Sequence, residues 1–298
     1  MRPTQRAYVD TPVTDLPAAT VAAERAAVHW GLERPRLLRV GMNAIFVSGE
    51  VVLRVSAPSV PAMASLELVE FLARTGLSVP TPARLDAIAH AGLSVTAWDR
   101  LVATDAPIDW HAVGQMVRAV HELDPRALPP AVPLPPASAF PWWDFDTLLA
   151  QVDDELDEGA RHGIVAAIER HRGWERFAHH VVCHGDVHPG NVMMVSTGPV
   201  LIDWDLLCSA PAGWDHAPML TWASRWGGRA EDYDAFAGGY GMSLEDDPVA
   251  AALAELRLVA ATLLRLAAGR RDPAALPEAR RRLAYWRGAD DAPAWQAQ

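Results

Sequence analysis

Two periods of hydrophobicity divide the chain. Residues 16–31, LPAATVAAERAAVHWG, repeat apolar side chains at helical spacing, with Pro17 at the start and Gly31 at the end, and predict a helix. Residues 36–56, RLLRVGMNAIFVSGEVVLRVS, switch to short β-branched runs broken by GMN and SGE, which predicts two or three antiparallel strands joined by tight turns. Helical spacing returns over 64–77, ending at Gly76, and strand-like runs return over 79–98. From residue 101 the pattern is mostly helical. Helices are expected over 109–123, 144–158 and 161–179, and to fill 215–298. A Pro-rich stretch, 128–141, reads as a stiff extended connection. The expected class is α+β, with a small antiparallel-sheet lobe over 1–99 and a larger, mainly helical lobe over 100–298.

Composition narrows the class. Half of the 298 residues are hydrophobic, enough for a sizeable core. Cys183 and Cys208 both sit in apolar surroundings, which reads as buried reduced thiols of a cytoplasmic protein. The first fifteen residues lack the apolar run of a secretion signal. The most apolar long run, 251–269, carries Glu255, Arg257 and Arg265, so it is expected as a core helix stopped at Gly269 rather than a membrane span. Residues 1–99 balance nine acids against nine arginines, whereas 100–298 hold 28 acids and 17 arginines. That acidity argues against a nucleic-acid partner, which needs a basic stripe, and suits either solubility or a cationic substrate. All 26 basic residues are arginine.

The richest chemistry lies in VVCHGDVHPGNVMM, residues 181–194, followed by PVLIDWD, residues 199–205. VMMV and PVLI read as two short strands joined by a turn at 196–198. Asp186 and Asn191 stand at the entrance of this hairpin and Asp203 at its exit, so folding brings them to one end. Two carboxylates and an amide oxygen there make a hard oxygen site suited to Mg2+, which keeps waters and borrows phosphate oxygens.

HGDVHPGN followed by LIDWD resembles the catalytic loop and metal-binding Asp of the aminoglycoside phosphotransferase family, itself similar to the protein kinases. The strands over 39–56, the helix carrying Glu67, VTAWDRL, HELDP and GWDHAPML also resemble family segments. The resemblance implies a two-lobed protein-kinase-like fold and an ATP- and Mg2+-dependent kinase. By that match, Asp186 is the catalytic base and Asn191 and Asp203 hold Mg2+. His188 either touches the γ-phosphate or braces the loop, and Asp215 braces it through backbone hydrogen bonds. Arg54 takes the place of the phosphate-binding Lys, and its planar fork grips phosphate bidentately. Its carboxylate partner is expected to be Glu67, with Glu70 in reserve. Gly41 and Asn43 resemble the phosphate-covering turn, and adenine is expected against backbone near Ala97, Trp98 and Asp99. Asp203 and Asp215 are only 12 residues apart, too close for a protein-kinase activation segment.

For the acceptor, residues 142–158 hold seven acids and no basic residue. Asp144, Asp146, Asp153 and Asp154 are candidate wall groups of an acidic pocket, or a solvated helix face, and Asp205 is a further acceptor-side candidate. Trp143, Trp222 and Trp226 could line a sugar-stacking site or fill the core. The expected partner is a small, cationic molecule with a hydroxyl, such as an aminoglycoside. A macrolide, choline, homoserine or a sugar is the alternative, and a non-catalytic nucleotide-binding module is the rival class. No membrane partner is expected, and the chain is expected as a monomer or weak homodimer.

Overall fold

The computed structural model describes residues 10–174, 179–289 and 291–296. The tail of the helix expected over 161–179 falls partly outside them. The chain forms two compact units, one holding residues 1–109, 124–135 and 189–207, the other 110–123, 136–188 and 208–298. The division is therefore not a single cut after residue 99, because the chain returns to the first unit twice.

The first unit opens with helix α1 (Leu16–His29), capped by the Asp15 carboxylate, which accepts from the Ala18 amide at 2.9 Å. Its alanines 19, 22, 23, 26 and 27 recur at three- and four-residue steps and are buried, so this face packs closely on the sheet. Strands β1 (Arg36–Val40), β2 (Ala44–Ser48) and β3 (Val51–Ser56) are the three antiparallel strands expected over 36–56. Helix α2 (Met63–Arg74) follows, then β4 (Ile88–His90) and β5 (Leu93–Asp99). The five strands form one antiparallel sheet in the order β1-β2-β3-β5-β4. Phe46, Leu53, Val55, Val95 and Ala97 fill the side of the sheet that faces α1. The alternation of β3 is what sends Arg54 the other way, between buried Leu53 and Val55.

The second unit begins with α3 (Trp110–His121), then α4 (Phe145–Val152) and α5 (Glu158–Arg170). The acid-rich run divides what was expected as one helix over 144–158. Asp153–Glu155 tighten into a 3-10 turn, and Asp157 caps α5 by accepting from the Ala160 amide at 3.1 Å. Strand β6 (Val181–Cys183) leads into the HGD loop. Strands β7 (Val192–Val195) and β8 (Gly198–Leu201) then form the expected hairpin and belong to the first unit.

Strand β9 (Cys208–Ala210) pairs antiparallel with β6 and sets Cys183 directly opposite Cys208. Both are free, buried thiols, and burial pushes each well above its ordinary pKa. Helices α6 (Gly213–Leu220), α7 (Trp222–Arg225), α8 (Ala230–Tyr240), α9 (Pro248–Arg271) and α10 (Leu276–Trp286) complete the unit. Gly269 does not stop α9, which runs on to Arg271. Its role is steric: a Cβ there would stand 2.5 Å from Leu276 Cδ2, so glycine lets the next turn close on the helix. Trp143 is core, 4.5 Å from Trp214 between ring centroids. No helix among the described residues is long and apolar enough to cross a membrane.

Candidate active site

In the first unit, β3 and its neighbours hold Arg54 between Ile45 on β2 and Thr96 on β5. Its guanidinium donates from Nη1 to Asp205 Oδ1 at 2.9 Å and from Nη2 to Asp205 Oδ2. Asp10 Oδ2 lies 3.8 Å from Nη2. Asn43, with its amide oxygen turned to the guanidinium, accepts from Nε at 3.1 Å and Nη2 at 2.8 Å. Burial works against the charge on Arg54, but Asp205, Asp203 and Asp10 outweigh it and hold the guanidinium pKa above its ordinary value. Asp10 is shifted up, chiefly by burial and further by Asp205, against the opposing Ser59 amide and Arg54.

Glu67 is therefore not the partner of Arg54; Asp205 is, and Asp205 is engaged here rather than presented to an acceptor. The reason lies in α2. The stripe of α2 that lines the cavity beside Arg54 and Asp205 is Ala64, Ser65 and Leu68, and Glu67 falls outside it. Asp10 was not singled out from the sequence. It comes from a segment with no periodicity, brought in by the strand bridge between Thr11 and Ala57 and by the Ser59 amide, which donates to Asp10 Oδ1 at 2.9 Å.

The β7–β8 hairpin sets the metal candidates. Its register pairs Val192 with Leu201, and one step further out the Ile202 amide donates to the Asn191 carbonyl at 2.9 Å. Asn191 is buried, and Asp203 follows Ile202 directly. Asp203 adopts a left-handed backbone, φ 65° and ψ 63°, which turns the chain out of the strand at that residue. Aspartate tolerates this region better than most residues, at a strain of about 1 kcal/mol. The hairpin is anchored by Leu201 N to Ser78 O at 3.1 Å and Thr104 N to Met194 O at 2.8 Å. Asn191 and Asp203 are thus hard oxygen donors at one hairpin end, a set that fits Mg2+.

The backbone expected for adenine is used by the sheet. The Ala97 carbonyl accepts from Ala83 N at 2.9 Å, Asp99 N donates to Thr81 O at 2.8 Å, and Trp98 is bridged to Pro82. An antiparallel bridge from residues 81–83, which run alongside the end of β5, consumes these groups. Gly41 N donates to Asn43 O at 3.0 Å in the β1–β2 turn, and a Cβ at Gly41 would meet nothing within 4 Å.

In the second unit, the HGD loop is pinned from beneath. Asp215, fully buried, accepts from His184 N and Gly185 N, each at 2.8 Å. Gly185 has φ 98°, so a side chain there would strain the loop. Asp215 Oδ2 also lies 3.1 Å from His121 Nε2, and His121 Nδ1 lies 3.0 Å from the Tyr240 hydroxyl. Burial alone would raise the Asp215 pKa. The His121 hydrogen bond and charge, His184 and the Gly185 amide reverse that and hold it below the ordinary range. His184 Nδ1 accepts from Asp186 N at 3.2 Å, a backbone-bracing role.

Asp186 is bracketed by donors. Arg257 Nη2 lies 2.5 Å from Oδ1 and His188 Nε2 lies 3.3 Å from Oδ2. Burial pushes the carboxyl up, but His188, Arg257 and His184 together hold it well below the ordinary range. Asp186 is ionised at neutral pH and can receive a proton only as one is forced on it, which suits orientation of a hydroxyl more than strong basicity.

The acids of 142–158 are largely engaged. Asp144 caps α4 by accepting from Thr147 N at 3.2 Å, Asp153 pairs with Arg161, and Asp154 pairs with Arg270. Asp146 lies in the first turn of α4, where it complements the helix dipole.

Solved structures with a similar fold come from several kinases of small molecules. Spectinomycin phosphotransferase in complex with ADP and spectinomycin is 16% identical, covers 91% of this chain and 98% of its own, and has a TM-score of 0.65. A choline/ethanolamine kinase family protein from Mesorhizobium loti is 17% identical, covers 94% and 95%, and has a TM-score of 0.65. Macrolide 2'-phosphotransferase from Brachybacterium faecium is 18% identical, covers 87% and 97%, and has a TM-score of 0.56. No curated protein sequence matches the chain. The family model for the phosphotransferase enzyme family matches residues 36–256, which spans the sheet, the HGD loop, the hairpin and most of the helical unit. A kinase-like fold carrying this loop and this match makes the chain a phosphotransferase of the phosphotransferase enzyme family.

Proposed function

We propose that the protein is an ATP-dependent O-phosphotransferase that moves the γ-phosphoryl group to a hydroxyl of a small molecule, with Mg2+. The observation that carries the reading is the placement of Asn191 and Asp203 at one hairpin end, with Asp186 five residues before Asn191 on a backbone pinned by Asp215. Asn191 and Asp203 would hold Mg2+, which when bound offsets charge on the phosphates of the donor. Arg54 would turn its fork from Asp205 to phosphate oxygens, with Asn43 steadying Nε and Gly41 leaving room in the turn. Asp186 would accept a hydrogen bond from the acceptor hydroxyl and take its proton. The new O–P bond forms as the bond to the leaving nucleotide breaks, and the loose transition state makes orientation the main contribution. His188, 3.3 Å from Asp186 Oδ2, supports that carboxylate while the acceptor is absent. Adenine would bond to backbone beyond Arg100, since Ala97 and Asp99 are tied within the sheet.

The acceptor is either an aminoglycoside-like cation or a less charged metabolite or antibiotic. The pairing of Asp153 and Asp154 with arginines favours the second, because each partner arginine offsets the charge that would attract an ammonium group. The test is ADP release from Mg-ATP across a panel of aminoglycosides, macrolides, choline, homoserine and sugars, with Asp186→Ala as control. Turnover above the control with one acceptor is expected. Intact protein that never exceeds Asp186→Ala with any acceptor would overturn the reading. GTP in place of ATP checks the donor. A cytoplasmic monomer or weak homodimer is part of the same proposal, and light scattering checks its mass.

A further inference from the structure

Arg257, in the second unit, grips both the backbone and the carboxylate of the loop. It projects from α9, a helix otherwise rich in alanine and leucine. Nη1 donates to the Gly185 carbonyl at 3.2 Å, and Nη2 donates to Asp186 Oδ1 at 2.5 Å. Its guanidinium carbon lies 5.5 Å from the centroid of the Trp214 ring, and Trp214 Nε1 donates to the same Gly185 carbonyl at 2.9 Å. The ring lies against the fork, and the shared carbonyl ties both side chains to the same peptide. One end of the fork therefore holds the peptide just before Asp186 while the other holds the Asp186 side chain.

A lysine could satisfy either acceptor but not both, since it is a single point charge on a flexible stem. An arginine placed only to neutralise a buried carboxylate would not need the carbonyl contact or the ring beneath it. The Arg257 side chain is 20% exposed and that of Asp186 27%, so the pair borders solvent rather than filling the core.

We infer that Arg257 is a positioning residue for phosphotransfer: it holds the Asp186 carboxylate through Oδ1, while Oδ2, 3.3 Å from His188 Nε2, exchanges that contact for the acceptor hydroxyl. The inference rests on the proposed role of Asp186. In the transfer the acceptor O–H proton passes to Oδ2, the acceptor oxygen bonds to phosphorus, and the phosphorus–oxygen bond to the nucleotide breaks with its electrons leaving on ADP. Oδ1 keeps its hydrogen bond to Arg257 throughout. The charged and titratable groups facing the Asp186 carboxylate within its unit are Arg257 from α9 and His184 and His188 from the loop itself. Removing Arg257 frees the side chain to rotate and takes away a cation.

The experiment compares wild type, Arg257→Met, Arg257→Lys and Asp186→Ala by ADP release from Mg-ATP with water as acceptor, and then with the best acceptor of the panel. Circular dichroism and thermal melting report folding. Arg257→Met is expected to lower kcat about 100-fold with KM for Mg-ATP within threefold of wild type, as a misplaced but intact group does. Guanidinium at tens of millimolar is expected to restore at least tenfold of that loss. Arg257→Lys is expected to remain folded and at least tenfold slower than wild type. In Asp-13Cγ-labelled protein, the resonance lost in Asp186→Ala is expected to titrate at least one pH unit higher in Arg257→Met. A folded Arg257→Met with wild-type kcat, or Arg257→Lys equal to wild type, would overturn the inference. Should Arg257→Met fail to fold, the lysine variant alone decides. If Asp186→Ala is as active as wild type, the phosphotransfer reading itself fails, whereas an inactive Asp186→Ala beside a fully active Arg257→Met sinks only the role of Arg257.

Discussion

Replacing Asp215 by Asn changes one atom and tests whether the loop is held from below. The carboxylate accepts from two backbone amides, Gly185 N at Oδ1 and His184 N at Oδ2, with His121 Nε2 also at Oδ2. An asparagine has one acceptor oxygen. Whichever way its amide turns, its NH2 meets a backbone N–H, and one buried donor is stranded. A stranded buried donor costs about 1–3 kcal/mol. The surviving bonds lose their charge assistance, roughly 1 kcal/mol more in total. The expected loss is about 2–4 kcal/mol against a domain stability of about 5–15 kcal/mol. In urea, with a slope of about 2 kcal/mol per molar, that moves the midpoint down by about 1–2 M. The pH dependence carries a second check. The folded Asp215 pKa is depressed, so its contribution is present above the ordinary carboxylate value and is lost as pH falls through the folded one. The gap between wild type and Asp215→Asn is therefore expected to narrow below about pH 4. A midpoint unchanged within about 0.3 M at pH 7 would show that the loop is held by something other than these hydrogen bonds.

His216 is buried with Nδ1 3.1 Å from the Tyr233 hydroxyl and no partner at Nε2. Burial, then the neighbouring His121, lowers its pKa to about 3. A base depressed in the folded state draws protons into the unfolded one, so stability is expected to fall by a few kcal/mol between about pH 6.5 and 3; His216→Leu should flatten that limb in acid-unfolding curves. Asp203→Gly relieves the left-handed backbone, so melting is expected to rise by about 1 kcal/mol equivalent while Mg-ATP turnover is lost; retained turnover would remove Asp203 from the site. A Cβ on Gly239 would stand 1.8 Å from the His111 carbonyl, where α8 crosses α3. Gly239→Ala is expected to cost about 2–3 kcal/mol in denaturant unfolding.

The sheet, α1 and the hairpin were readable because each has a period long enough to register: three strands with turn residues between them, a helix with both ends marked, two four-residue runs around a turn. Strand β9 is three residues long and has no period to read. The helix expected to reach residue 179 ends at Arg170, and Gly173 beyond it takes a positive φ that apolar spacing does not signal. Asp186, Asn191 and Asp203 could be proposed as a group from the sequence because they are near one another in it. Arg54 was legible from its strand, but its partner was not. Asp205 is 151 residues away, and a sequence cannot say which of several carboxylates meets a guanidinium across that distance. Arg257 is the clearest case of a signal misapplied. A charge in an apolar helix was read only as evidence against a membrane span. Seventy-one residues separate it from Asp186, and only the packing of α9 beneath the loop turns that charge into a contact.

The environment of Arg54 bears on which donor the first unit can accept. Three carboxylates, Asp205, Asp203 and Asp10, act on one guanidinium. Even with Asp10 shifted toward its neutral form by burial, the cluster carries more negative than positive charge. A bare polyphosphate would add further negative charge beside Asp203 and Asp205 and meet repulsion that one arginine does not offset. On the proposed reading, the same acids would turn favourable when the phosphates arrive with a divalent cation, because Asp203 and Asn191 would then meet the cation rather than the phosphate. The fork of Arg54 is also better matched to this exchange than an ammonium would be. It is already set for a bidentate oxyanion by Asp205, so a phosphate replaces one planar pair of oxygens with another. On the proposed reading, Asp205 holds Arg54 in the posture the phosphate requires, and the acidic surroundings select for the metal-loaded nucleotide over the free one.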